Sequence, residues 1–142
     1  MKNLITLIAI VFVSSLIGLG LSAVDGIRQV SGGTDTVVKC YRATLTQSGT
    51  SAPVATVMPG NGIGAIVWAY VSAGTYTATL TGAFTTNKTW AITQPVGAAN
   101  TFGKAIIQRT SADVMTVTCS GDGDSLNNDM LINTPVEILV FP

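Results

Sequence analysis

The sequence predicts an all-β fold, an eight-stranded sandwich or jelly-roll-like domain, preceded by one N-terminal transmembrane helix. Three observations predict it. Residues 3–24 carry no charge. Beyond Thr36, Thr, Val and Gly dominate, and turn residues recur at intervals of about 8–12 positions, the rhythm of short antiparallel strands. Charged residues make up only 10% of the 142-residue chain, well below the roughly 25% of an ordinary soluble domain. The chain therefore divides into an apolar segment (1–24), a linker (25–35) and a β-domain (36–142).

The apolar segment comes first. A helix of its length rises about 33 Å, against a hydrocarbon core of roughly 30 Å, so it can span a bilayer. It has no polar face, unlike a surface helix of a soluble protein. Two readings stand. In one it is an uncleaved signal-anchor. In the other it is a signal peptide cut after Ala23, although Leu21 is larger than such a cleavage site prefers. Lys2 and the amino terminus precede the span, while Asp25 and Arg28 after it cancel. The positive-inside rule then places the β-domain outside the cytoplasm. Ser14, Gly18 and Ser22 follow at a four-residue spacing and form one stripe of small side chains, the pattern that lets helices approach closely in lipid. The sequence from Asp25 to Thr36, DGIRQVSGGTDT, is rich in Gly, Ser and Thr and has no period, which marks a linker.

Eight strands are expected in the β-domain: Thr36–Gln47, Val54–Met58, Ile63–Val71, Thr75–Thr81, Lys88–Gln94, Phe102–Thr110, Asp113–Cys119 and Pro135–Phe141. Leu126–Leu131 is ambiguous and could be a helical turn. The clearest hairpin is Ile63–Thr81, with Ser72, Ala73 and Gly74 at its tip. Ile66, Trp68 and Tyr70 alternate on one face of its first strand, and Val67, Ala69 and Val71 on the other. Both faces are apolar, so the strand calls for cover on both sides, and a second copy of the chain would supply it. In the return strand Tyr76, Ala78 and Leu80 point to the core while Thr75, Thr77, Thr79 and Thr81 form an outward row. Phe84, Trp90 and Phe102 are expected to complete the core. The closing strand, PVEILVFP, is apolar apart from Glu137, which requires a central or oligomer-facing position.

Cys40 and Cys119 lie in or beside strands. They form either one disulfide closing a long loop, in an oxidising compartment, or two buried free thiols. Their spacing excludes a CxxC redox or zinc motif.

Seven acids balance seven bases and histidine is absent. Without histidine there is no Ser-His-Asp triad and no histidine metal ligand. Lys and Arg are scattered, so no basic nucleic-acid footprint exists. Pro59 to Gly64 is a turn between strands and not a phosphate cradle before a helix. Glu137 is the only glutamate. The reading is a protein without catalytic activity or cofactor. One acidic loop, Gly121 to Asp129, carries Asp122, Asp124 and Asp129, oxygen ligands of the kind that suit Ca²⁺. It departs from the EF-hand, since Leu126 takes the fifth position and no glutamate closes it, so a solvated turn is the simpler reading. Trp68, Tyr70 and Trp90, with Tyr76, could form an oligomer surface or a sugar-stacking platform, although aromatic residues alternating in a strand more often build core. Type IV pilins also join an apolar helix to a β-rich head, but they carry a glutamate near the start of the helix, and this one has no acid.

Four stretches, LTQSGTSAPVATV (Leu45–Val57), GTYTATLTGAFTTNKTW (Gly74–Trp90), RTSADVMTV (Arg109–Val117) and TPVEILVFP (Thr134–Pro142), resemble a family of small, mostly uncharacterised β-domain proteins encoded by bacteriophages. The resemblance covers Leu45 to Pro142 and leaves out the N-terminal segment. It implies a virion protein of spike, vertex or fibre type, here fixed to a lipid membrane and touching other virion proteins. It carries over no functional residue. The expected partner is a second copy, in a trimer or pentamer, and no nucleic acid. The alternative is a secreted or cell-surface binding module of lectin or adhesin type, with its signal peptide cleaved.

Overall fold

Alternating Thr, Val and aromatic positions favour strands because branched and aromatic side chains pack well on a pleated surface. In the computed structural model, which describes residues 28–31, 34–94, 103–121 and 124–142, they do form strands. Ten occur among the described residues: β1 (Arg28–Ser31), β2 (Thr34–Val37), β3 (Lys39–Thr46), β4 (Val54–Val57), β5 (Val67–Ser72), β6 (Thr75–Thr79), β7 (Thr89–Thr93), β8 (Lys104–Arg109), β9 (Val114–Ser120) and β10 (Thr134–Val140). No described helix is long and apolar enough to cross a membrane. The segment 1–24, with Ser14, Gly18 and Ser22, lies outside the described residues.

Strands β3 to β10 match the eight expected ones to within a few residues. They build two four-stranded antiparallel sheets, ordered β4-β3-β10-β7 and β5-β6-β9-β8. The alternation that marked each strand also sets its inner face. Tyr41, Ala43 and Leu45 of β3 and Val136, Ile138 and Val140 of β10 point inward. They join Tyr76 and Ala78 of β6 and Met115, Val117 and Cys119 of β9 in one core, with Trp68, Phe84 and Leu131. Fully burying a side chain such as Phe84 or Ile138 contributes about 1.5–3 kcal/mol. β10 is central in its sheet, between β3 and β7, as its apolar sequence required.

The jelly-roll alternative is not met. β3–β4, β5–β6 and β8–β9 are hairpins within one sheet, so three of the seven connections from β3 to β10 stay in their sheet, whereas a jelly roll sends nearly all of its connections across the gap. The turns explain this, since Ser72-Ala73-Gly74 and Ser111-Ala112 are too short to leave the sheet. Counted from β5, the order follows an immunoglobulin-type sandwich. β5-β6-β9-β8 correspond to A-B-E-D, and β7-β10-β3 to C-F-G. The G position is filled from the front of the chain by β3, and β4 extends the sheet beyond it.

Two further features differ from expectation. Within the stretch read as a linker, β1 and β2 pair as an antiparallel ribbon from Arg28↔Val37 to Ser31↔Thr34. Leu126–Leu131 is not helical. Leu126 makes a single bridge to Ser120, and the following residues clasp the tip of the β5–β6 hairpin. There the Gly74 N–H donates to Asn128 Oδ1 (3.1 Å), and the Cys119 N–H donates to the Gly74 carbonyl (2.7 Å).

Candidate functional site

The outward-facing side chains of the first sheet form the most distinctive surface. The pleat that buries Val136, Ile138 and Val140 turns Pro135, Glu137 and Leu139 outward. On β3 it turns Cys40, Arg42 and Thr44 outward. Register then decides the neighbours. Glu137 stands between Arg42 on one side and Ile92 on the other, and Leu139 between Cys40 and Trp90. Arg42 donates from Nε to Glu137 Oε1 at 2.6 Å, and Nη2 approaches the same oxygen at 2.6 Å. The carboxylate in turn raises the Arg42 pKa. The pair sits in a shallow groove of about 260 Å³ lined by Met58, Ile92 and Pro135. Trp90, Ile92, Met58 and Phe141 on this side are each about two-fifths to one-half exposed. Cys40 Sγ lies 3.9 Å from Glu137 Oε1. Burial pushes its thiol up, and the neighbouring Arg42 opposes that.

The second sheet presents a different outer face. Thr75, Thr77 and Thr79 of β6 lie beside Thr118, Thr116 and Val114 of β9, so the threonine row expected from the sequence is doubled. Val67 and Val71 on the β5 edge and Ile106 on β8 stand exposed around it. The outward valines of β5 lack cover within the described chain.

The aromatic residues singled out from the sequence do not share a surface. Trp68 is buried, and its Nε1–H donates to Tyr41 Oη (3.2 Å). Tyr70 packs edge-on against Tyr76, ring centroids 6.1 Å apart. Trp90, expected in the core, is 47% exposed on the opposite sheet. β7 is an edge strand, and its inward positions are Thr89, Ala91 and Thr93, so the tryptophan faces out. Phe84 is in the core as expected, and Phe102 lies outside the described residues. A cleft of about 570 Å³ opens between the β4 and β5 edges, lined by Tyr41, Trp68, Pro53 and Asn61 among others.

Cys40 and Cys119 are free thiols. Cys40 faces outward on β3 while Cys119 is buried in the core, where burial pushes its pKa up to about 11. The acidic residues of the 121–129 loop have separate partners. Asp124 accepts from Lys104 Nζ at 2.5 Å, and Asp129 Oδ1 accepts from the Gly49 N–H at 2.6 Å. Asp122 lies outside the described residues. Among the described residues no cluster of acidic or cysteine ligands gathers for a metal ion.

The sequence did not reveal the Arg42–Glu137 pair. The two residues are 95 positions apart, and only the strand order brings them together. Compared with known proteins, the chain matches no family model, no curated protein and no solved structure.

Proposed function

We propose that this chain is a non-catalytic structural subunit of a bacteriophage particle, a self-associating β-module held to a lipid layer by its N-terminal apolar segment. The observation that carries the reading is the exposure of apolar side chains on both outer sheet faces, around Trp90 and Ile92 on one and Val67 and Val71 on the other. Apolar groups spread over both faces, on a chain of zero formal charge, suit a protein that spends its life packed against copies of itself. The membrane part rests on the uncharged segment 3–24, and the virion part on the phage-family resemblance. Spike, vertex and fibre are the positions that such a module fits.

Fractionation tests this. Full-length protein expressed with its own N-terminus should stay with membranes through high-salt washes, retain Met1 and come out in mild detergent as a homo-oligomer. A processed, freely soluble monomer would instead point to a secreted binding module.

A further inference from the structure

We infer that two copies of this chain pair face to face through the outer surface of the β4-β3-β10-β7 sheet, about a twofold axis beside the Arg42–Glu137 pair. The inference rests on the self-associating reading above and names its interface. A twofold interface brings one surface patch onto itself, so the patch must be self-complementary. This one is. One cation and one anion stand side by side at the centre, with Trp90, Ile92, Met58 and Leu139 around them. Half a turn about an axis between the two charges lays each arginine over the other copy's glutamate.

The ion pair is also left half used. Both Arg42 contacts fall on Glu137 Oε1, and among the described residues Oε2 receives no hydrogen bond. The arginine side chain is 48% exposed and the glutamate 25%. A second copy would bring a donor for Oε2 and an acceptor for the remaining guanidinium N–H groups. Such closure is what a charge pair needs when water is removed from it. A purely apolar occupant, such as lipid, would strip water from the pair and give nothing back. A polyanion would meet a patch with no net positive charge. The outer face of the second sheet has valines and threonines but no central charge pair, so nothing on it would set the register of a docked copy.

Size sets the strength. Four strands about 4.8 Å apart and five residues long at about 3.4 Å each project roughly 300 Å², well short of the ~800 Å² per partner of a standard stable interface. The pairing is therefore weak on its own and gains from a second contact between the same copies, such as one between their N-terminal segments, which full-length chains keep in detergent.

The test uses full-length chains in mild detergent. Arg42→Glu puts two acids on the face, and Glu137→Arg puts two bases there. The two variants are co-expressed, one carrying a mass tag, and the native mass spectrum is read. Mixed pairs should exceed like pairs by about tenfold, because like charges repel and unlike ones attract across the contact. Thr50→Asp, in the exposed β3–β4 turn and on neither outer sheet face, should leave the wild-type oligomer unchanged. A statistical ratio of mixed to like pairs would overturn this interface while leaving self-association standing. A wild-type chain that is monomeric would overturn both. Should a charge variant misfold, the half-exposed Trp90→Asp takes its place, with association expected to weaken about tenfold and unchanged association overturning the inference.

Discussion

Tyr76 donates its hydroxyl proton to Gln47 Oε1 across 2.7 Å, and this bond ties the two sheets together at one end of the sandwich. Both residues are buried. The same Oε1 accepts from the Asp129 N–H (2.9 Å). Gln47 Nε2 donates to the Gly49 carbonyl (2.6 Å) and the Ser51 carbonyl (3.3 Å). One amide thus joins β6, the loop before β10 and the β3–β4 turn.

Gln47→Leu removes all of these partners at once and strands the Tyr76 hydroxyl and the Asp129 N–H. An unsatisfied buried group costs about 1–3 kcal/mol, so the variant should lose about 3 kcal/mol. Tyr76→Phe keeps the ring and should lose about 1–2 kcal/mol. Urea unfolding followed by circular dichroism reads both values. A Gln47→Leu variant as stable as the parent would show that the amide is dispensable.

Stability should fall at alkaline pH. Burial pushes Tyr76 from 10.0 up to about 12 and Cys119 from 9.0 up to about 11. Each group holds its proton more tightly folded than unfolded, so the folded state binds more protons in this range and loses stability as pH rises. The contribution is complete below pH 9.0 and is lost progressively toward about 12. Denaturant midpoints taken from neutral pH upward should drop through that window. Tyr76→Phe should flatten the upper part of the drop. A flat profile in the parent would mean that these groups titrate alike in both states.

Glycine is required at position 74. Its φ is +63°, and an added Cβ would lie 2.3 Å from the Cys119 carbonyl oxygen and 2.7 Å from the Asn127 nitrogen. Both are backbone atoms held by the clasp over the hairpin, so neither can yield cheaply. Gly49 has a similar φ of +58° with nothing within 4 Å. Gly49→Ala should therefore cost only the left-handed backbone, about 1–2 kcal/mol. Gly74→Ala should cost several times as much, or prevent folding. Equal thermal shifts for the two would refute the clasp.

The thiols should behave unequally. Cys40 is half-buried on an outer face, and Cys119 is closed inside the core. A thiol-exchange reagent should titrate Cys40 slowly in the native protein and Cys119 only on unfolding, giving two free thiols in total. A denatured, unreduced sample with none would contradict the separation of the two side chains.

The strands were legible because alternation is local. Thr-Tyr-Thr-Ala-Thr on β6 and Pro-Val-Glu-Ile-Leu-Val on β10 state which side faces the core without reference to any other strand. Pairing is not local. The placement of β3 beside β10, and with it the Arg42–Glu137 contact, depends on a topology that no turn residue announces. Trp90 misled for a related reason. A large aromatic in a strand suggests core, but β7 lies at a sheet edge and its inner face is filled by Ala91 between two threonines. Gln47 was hidden because one polar residue at the end of a strand looks like the start of a loop. The acidic loop read most simply as a solvated turn, and what the sequence did not show is that Asp129 works as a staple to Gly49 and that Asn127 and Asn128 lie against the hairpin tip. Asp124, Asp129 and Asn133 adopt positive φ, which short polar side chains tolerate.

The measurement that bears most directly on the central claim is the native mass of the full-length protein, expressed with its own N-terminus and extracted in mild detergent. The account predicts a homo-oligomer, a whole multiple of the 14.6 kDa chain, with Met1 retained. A monomer lacking about the first 23 residues, the product of signal-peptide cleavage, would contradict it.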